Sequence, residues 1–130
     1  MRIQHVAMII ALLMGTQTAF PQKKSFPPVG KIGPITFVEL GSVNCIPCRQ
    51  MQPVMKAIEK KYGAQVKVVF HDVWKPEQRK YAEQYGIRLI PTQVFLDAAG
   101  KEFFRHEGFY PEAEIDKLLQ KQGLKIQTGS

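Results

Sequence analysis

Residues 35–48, Ile-Thr-Phe-Val-Glu-Leu-Gly-Ser-Val-Asn-Cys-Ile-Pro-Cys, decide the fold of this chain. The first six residues form an apolar, β-prone run that stops at a Gly-Ser pair. After the cysteines, residues 49–62 are rich in helix formers and carry apolar side chains at helical spacing. The stretch therefore predicts a strand that passes into a helix, with Cys45 and Cys48 at the junction.

This junction favours thiolate chemistry at the two cysteines. The first turn of a helix has unpaired backbone N–H groups and the positive end of the helix dipole, and both stabilise negative charge. A cysteine placed there can have its pKa lowered from about 8.5 to between roughly 3.5 and 7.5. A static disulfide is the alternative, but closing so short a loop would constrain the unfolded chain little. We therefore predict that the pair opens and closes as a redox disulfide.

Motifs further along the chain resemble those of the thioredoxin family, and the resemblance covers residues 30–123. It implies an α/β thioredoxin fold, with a mixed central sheet and helices on both faces. It also implies a thiol–disulfide oxidoreductase that uses the Cys45–Cys48 disulfide and no other cofactor. The matching features are Cys45-Ile46-Pro47-Cys48 with Arg49 and Pro53 after it, Tyr85 to Thr92 with its Ile-Pro-Thr, and Gly108 ahead of a last helix.

The resemblance assigns a catalytic role to Glu39, which interrupts the first strand with a carboxylate. Thioredoxins typically carry a buried Asp at this place, which takes up and returns the proton of the second cysteine, here Cys48. A buried carboxylate without a cation partner has a raised pKa, as a proton acceptor working near neutrality needs. The alternative is a Glu at the strand end whose side chain faces solvent.

A second element implied by the resemblance is Ile90-Pro91-Thr92, which would form a ledge for docking the extended chain of a substrate. Pro91 would be cis and would face the cysteines, since proline is the residue for which a cis bond costs only about 0.5 to 1 kcal/mol. A trans proline at a strand start is the alternative. Isoleucine before this proline is found in the reducing thioredoxins, which favours a reductant.

The active-site loop departs from the family pattern in two places. Asn44 stands where thioredoxins carry Trp, and Ile46 replaces the Gly of the common Cys-Gly-Pro-Cys motif, while Pro47 is retained. Losing a flat aromatic side chain beside the nucleophile changes the surface that a partner meets. The substrate preference of the family is therefore not carried over to this chain.

Bulk composition limits the organisation to one domain. The chain has 130 residues with 45% hydrophobic content, which is enough for one ordinary core. Its net charge of +7 comes from basic residues spread among acidic neighbours on predicted helices, which is typical of solvated surface and not of a nucleic-acid interface. We expect a signal peptide at 1–19, a Pro/Gly-rich lead-in at 20–34, the thioredoxin-like domain at 35–123 and a frayed tail at 124–130.

The amino terminus predicts export. Arg2 precedes the uninterrupted apolar run from Val6 to Met14, which is too short for a bilayer span of about 20 residues, and small and polar residues follow up to Ala19. We expect cleavage after Ala19 and a periplasmic or other extracytoplasmic location. An uncleaved segment that anchors the protein to the membrane is the alternative.

The remaining elements alternate in the order expected for this fold. A strand parallel to the first is predicted at 66–73, and a helix at 76–85 with the ring of Trp74 packed beneath it. A hairpin of strands 93–97 and 102–106 and a helix opening at Pro111 would follow.

The predicted function is dithiol–disulfide exchange on protein substrates outside the cytoplasm, with one rival class and, as a third option, a redox-switched adaptor that does not turn over. The predicted partners are proteins carrying a disulfide or dithiol and a redox protein that donates or accepts electrons; we expect a monomer with no nucleic acid and no metal. The rival is a metal-binding or metallochaperone module in which His71 or His106 joins the two cysteines, since thiolates and imidazoles bind Zn²⁺ and Cu(I) well.

Overall fold

A computed structural model describes residues 33–128 as a mixed four-stranded sheet, ordered β2-β1-β3-β4, with helices on both faces. This confirms the predicted α/β architecture. The signal peptide and most of the lead-in predicted for residues 1–34 lie outside the described residues. The strands are β1 (Ile35–Gly41), β2 (Val66–Asp72), β3 (Thr92–Leu96) and β4 (Glu102–Glu107), and the helices are α1 (Ile46–Tyr62), α2 (Lys80–Gln84) and α3 (Glu112–Lys121).

Strand β1 carries mostly apolar side chains on both faces, and helices cover both faces in the structure. It pairs in parallel with β2, as predicted, and antiparallel with β3. Side chains alternate between the faces of a strand. Ile35 and Phe37 pack into a cluster with α1 and α3, whereas Val38 and Leu40 pack with residues of α2 on the opposite face. The odd-numbered side chains of β1 therefore face α1, which begins with the two cysteines.

Helix α1 is the longest helix of residues 33–128 and packs one face into the core. Cys45 is its N-cap residue and Pro47 lies in its first turn, where a missing N–H costs no helical hydrogen bond. The helix continues through Pro53 and ends at Tyr62, after which Gly63 has φ +53°. Neither α1 nor any other helix of residues 33–128 is long and apolar enough to cross a membrane.

The helix predicted over 76–85 is shorter than expected, since α2 covers only Lys80–Gln84 and turns replace its first half. The carbonyl of Lys75 accepts from the N–H groups of both Gln78 and Arg79. The side chain of Gln78 also accepts a hydrogen bond from the Asp72 N–H at 3.0 Å. This bond ties the segment back to the end of β2, and such side-chain bonds compete with regular helix.

The prediction that Trp74 packs beneath the helix at 76–85 is wrong, because 55% of its surface is exposed. Val73 takes the inward position after β2 and is buried. The Trp74 N–H donates to Asp72 Oδ1 at 3.2 Å in a tight turn, and the ring lies in a shallow hollow lined also by Leu89 and Ile90. Turn geometry after the strand, which hydropathy does not encode, places this ring on the surface.

The start of the predicted frayed tail is held against α1. Leu124 is buried, and the N–H of Gln127 donates to the Lys61 carbonyl at 2.7 Å. The side chain of Gln65 forms hydrogen bonds with both the carbonyl and the N–H of Lys125. Residues 124–127 therefore differ from the frayed segment that their polar sequence predicts.

Candidate active site

Cys45 and Cys48 form a disulfide at the amino-terminal end of α1, with their Cα atoms 5.2 Å apart. The two sulfurs are not equally accessible. Cys45 is 8% exposed and Cys48 is fully buried, since the first residue caps the helix and the second lies one turn inside it. A partner approaching from solvent therefore reaches Cys45 first.

Backbone hydrogen bonds at the helix start converge on Cys45. The N–H of Cys48 donates to Cys45 Sγ at 3.4 Å, and the N–H of Arg49 donates to the Cys45 carbonyl at 3.0 Å. In the reduced protein the same N–H and the helix dipole would stabilise negative charge on that sulfur. The geometry thus provides what the sequence predicted for a thiolate at position 45.

The loop before the cysteines is held by Asp72, a residue that the sequence analysis did not single out. Its Oδ2 accepts from the N–H of Val43 at 3.2 Å, so the end of β2 supports the loop that follows β1. The predicted loop residues Asn44, Ile46 and Pro47 are all exposed around the disulfide. An Asp at a strand end ahead of a turn was the available signal, because its side chain readily accepts nearby backbone N–H groups.

Gly41, the last residue of β1, provides the close approach between sheet and helix. A Cβ atom there would lie 3.2 Å from the Cβ and 3.3 Å from the Sγ of Cys48. The absence of a side chain at this position lets Cys48 sit directly on the strand. A glycine between a buried strand and a Cys-x-x-Cys pair was the sequence signal for this contact.

Glu39 lies two residues before Gly41, on the same face of β1, and is fully buried. The alternative of a solvent-facing side chain therefore does not hold. Burial raises the pKa of Glu39 from 4.5 to about 8, against the opposing effect of a hydrogen bond from Gln93 Nε2 to Glu39 Oε1 at 3.4 Å. A carboxyl with that pKa can accept and return a proton near neutral pH.

The Ile90-Pro91-Thr92 segment lies beside the end of β1. The peptide bond between Ile90 and Pro91 is cis. Leu40 pairs with Thr92 in the antiparallel register, so that extending this register by one residue places Pro91 next to Gly41. The segment and the cysteines thus meet at one end of the sheet.

The three ledge residues differ in what they offer a partner. Thr92 is buried, and its hydroxyl donates to the Leu89 carbonyl at 2.7 Å. The carbonyl of Pro91 accepts from the Gly108 N–H at 2.7 Å. Within residues 33–128, the backbone N–H and C=O of Ile90 form no hydrogen bond, and its side chain is half-buried. Ile90 is therefore the ledge residue whose backbone is open to pairing.

An apolar rim surrounds the disulfide end of the sheet. Val43 lies before the two cysteines, Ile46 lies between them, and Leu89 precedes Ile90. Phe109 follows Gly108, whose N–H donates to the Pro91 carbonyl, and Trp74 lines the hollow next to Ile90. All five side chains are at least 42% exposed. The rim consists of Val43, Ile46, Leu89, Phe109 and Trp74.

The histidines of the rival metal-binding function do not join the cysteines. His71 pairs with Leu40 in the sheet register and stacks on Tyr81, on the face opposite to α1. His106 stacks on Tyr110 with ring centroids 4.3 Å apart. Among residues 33–128, no group of three or more His, Cys, Asp or Glu side chains is arranged to hold a metal ion.

Comparison with known proteins agrees with this geometry. The family model for a thioredoxin-like domain matches residues 28–123. Thioredoxin 1 of Synechococcus elongatus is 40% identical over 78 residues, covering 59% of this chain and 69% of that protein. Thioredoxin 1 of a Nostoc species is 35% identical over 77 residues, with the same shares covered.

Solved structures show the same fold. The germline-specific thioredoxin Deadhead of Drosophila melanogaster superposes with a TM-score of 0.60 at 26% identity, covering 68% of this chain and 81% of that one. A mutant thioredoxin from Halobacterium salinarum superposes with a TM-score of 0.61 at 22% identity, covering 72% of this chain and 79% of that one.

Proposed function

The chain belongs to the thioredoxin family and is a thiol–disulfide oxidoreductase, and from this premise we propose that it reduces disulfides of protein substrates outside the cytoplasm. The observation that carries the proposal is the unequal pair of sulfurs at the start of α1. Cys45 is the more accessible of the two, at 8% exposure, and is supported by a backbone N–H, while Cys48 is fully buried behind it. This arrangement suits a nucleophile and a resolving thiol.

The proposed reaction uses the two cysteines in turn. The Cys45 thiolate attacks one sulfur of a substrate disulfide, forming a mixed disulfide and releasing the other substrate sulfur as a thiolate. Cys48 then gives its proton to the Glu39 carboxylate and attacks Cys45 Sγ. The Cys45–Cys48 disulfide forms, the second substrate sulfur leaves as a thiolate, and two electrons have passed to the substrate. A redox protein that donates electrons must restore the dithiol.

For substrate docking, we propose that the open backbone of Ile90 pairs with an extended substrate chain while the apolar rim contacts its side chains. Trp74 offers the largest side chain of the rim and replaces, from a different part of the fold, the aromatic surface that Asn44 does not provide. Aromatic side chains dominate the energetics of such contacts.

Trp74→Ala is accordingly expected to raise KM for a protein disulfide roughly fivefold, because apolar contact area is lost, while kcat stays unchanged. Steady-state reduction of insulin at several substrate concentrations measures both constants. The matched control is Ile126→Ala, which removes an exposed apolar side chain from the segment held against the far end of α1. Equal KM values for the wild type and Trp74→Ala would remove Trp74 from the docking surface.

The direction of electron transfer is proposed from Ile90, since the resemblance associates isoleucine at this place with the reducing members of the family. We expect a reduction potential near about −270 mV for the Cys45–Cys48 pair, as in reductants of this type. Equilibration with glutathione or a thioredoxin of known potential measures it. A value near about −120 mV would instead identify an oxidant of dithiols.

The proposed extracytoplasmic location is supported by the apolar run from Val6 to Met14 and the small residues up to Ala19. In an oxidising compartment a dithiol stays reduced only while a dedicated electron source supplies it. Amino-terminal sequencing of the protein recovered from cells checks the location. A mature chain beginning at Phe20 is expected, and a chain that retains residues 1–19 would indicate the membrane-anchored alternative or no export.

A further inference from the structure

Glu39 and Gln93 form a buried polar pair across the two central strands. They are register partners of β1 and β3, and both side chains are fully buried. Gln93 Nε2 donates to Glu39 Oε1 at 3.4 Å, and no other hydrogen bond joins either side chain to the described residues. The remaining oxygens, Glu39 Oε2 and Gln93 Oε1, are buried and have no partner.

An ionised Glu39 leaves the polar atoms of this pair without enough hydrogen-bond donors. A carboxylate only accepts hydrogen bonds, so Gln93 Oε1 would remain without a donor next to a charged group in the core. A protonated Glu39 has one O–H to donate. Donated to Gln93 Oε1, it completes a reciprocal pair in which the amide N–H and the acid O–H each find an acceptor. The count of buried donors and acceptors therefore favours the neutral acid in the oxidised protein.

We propose that Gln93 is a positioning residue for the proton that Glu39 exchanges with Cys48. The amide holds the neutral acid through both of its polar atoms, and it keeps one N–H on the carboxylate after the proton has left. This inference rests on the proposed function in so far as Cys48 is the thiol that resolves the mixed disulfide. When the disulfide is reduced, Glu39 gives its proton to the Cys48 sulfur and becomes a carboxylate. In the resolving step the carboxylate takes this proton back, and the Cys48 sulfur becomes the attacking thiolate.

Few other titratable groups face Glu39. Its face of the sheet is covered by α1 and by α3, whose buried side chains Ile115 and Leu119 are apolar. None of the titratable groups on this face forms a hydrogen bond with Glu39, and burial and the Gln93 bond are the influences on its pKa. The titratable groups on this face are Cys48 and, at the other end of α1, Tyr62, Asp72 on β2, His106 opposite Gln93 on β4, and Tyr110 before α3.

Infrared spectroscopy of the oxidised protein tests the pair without turnover. We expect a protonated carboxyl band at pH 7 that is absent from Glu39→Gln. In Gln93→Met, which has a similar volume but no N–H or C=O, the band is expected to move to higher wavenumber because the acid has lost its hydrogen bonds. A band at the same wavenumber in both proteins would overturn the proposal.

The pH profile of reduction provides the second readout. Loss of the hydrogen bond from the Gln93 N–H destabilises the carboxylate form of Glu39 more than the neutral acid, because charge-assisted hydrogen bonds are about twice as strong. The pKa of Glu39 should therefore rise in Gln93→Met, and reduction of substrate at pH 7 should slow by about tenfold and recover at higher pH. An unshifted profile would count against Gln93. His106→Gln, which removes the neighbouring imidazole, is the matched control and should keep the wild-type profile.

Failure of the proposed function and failure of the Glu39–Gln93 pair give different experimental results. An inactive wild type with the expected band shift would refute the proposed function and leave the Glu39–Gln93 pair intact. An active Gln93→Met with wild-type spectrum and profile would refute the pair and leave the function intact. Should Gln93→Met not fold, a pH titration of the carboxyl band in the wild type provides the test. A midpoint at the ordinary pKa of 4.5 would show that Glu39 does not keep its proton at pH 7 and would overturn the proposal.

Discussion

Replacing Cys48 with Ser is expected to stop turnover and leave Cys45 covalently bound to its substrate. The first attack needs only the Cys45 thiolate, which the variant retains with its helix position and its N–H bond. The second attack needs the Cys48 sulfur, and a serine hydroxyl is a far weaker nucleophile towards a disulfide. Steady-state reduction should fall by about three orders of magnitude or more. Mixed disulfides should accumulate and be seen by non-reducing electrophoresis.

Cys45→Ser is the matched control for this experiment. Its remaining thiol at Cys48 is fully buried, so it should form no mixed disulfide although turnover is also lost. The reverse pattern, with adducts in Cys45→Ser and none in Cys48→Ser, would exchange the roles of the two cysteines. Adducts in neither variant would oppose disulfide exchange with the substrates tested.

Replacing Glu39 with Gln is expected to flatten the dependence of stability on pH in the oxidised protein. Folding raises the pKa of Glu39 from 4.5 to about 8, so the native state binds a proton that the unfolded chain has released. The stabilisation from this proton is present below pH 4.5 and is lost as pH rises through about 8. Between pH 7 and 9 the wild type should lose on the order of 1 kcal/mol of unfolding free energy through this group.

Urea unfolding at pH 7, 8 and 9 measures the effect, and Glu39→Gln should lack the decline. Burial lowers the pKa of His71, which makes stability rise with pH up to about its ordinary value of 6.5, so this range avoids that opposing contribution. Glu59→Gln removes an exposed carboxylate of α1 and should keep the wild-type slope. An equal decline in wild type and Glu39→Gln would show that Glu39 is not the group responsible.

Local patterns were sufficient for the parts of the site that are close in sequence. The junction of β1 and α1 could be read because both elements carry their own hydrophobic spacing and lie on either side of the cysteines. The Ile-Pro-Thr segment was found through resemblance, and the structure brings it to the same end of the sheet. The predicted position of Trp74 is wrong because hydrophobicity alone favours burial of a large aromatic side chain, whereas the turn after β2 directs this one outward.

Local sequence patterns do not identify Gln93 as the hydrogen-bond partner of Glu39. Gln93 is 54 residues away, and its sequence context is that of any polar residue in a strand. Only the antiparallel register of β1 and β3 places it opposite Glu39. The support that Asp72 gives to the active-site loop has the same origin, since it depends on the parallel pairing of β1 and β2.

The amino-acid sequence by itself determined the family, the α/β fold and the redox pair, because hydrophobic periodicity and a short motif encode local structure directly. Tertiary structure alone decided which cysteine is the more accessible, that Glu39 is buried beside a single amide, and that Trp74 lies on the rim. These properties depend on burial and strand register, which arise from contacts between residues distant in the chain and have no signature in any one segment.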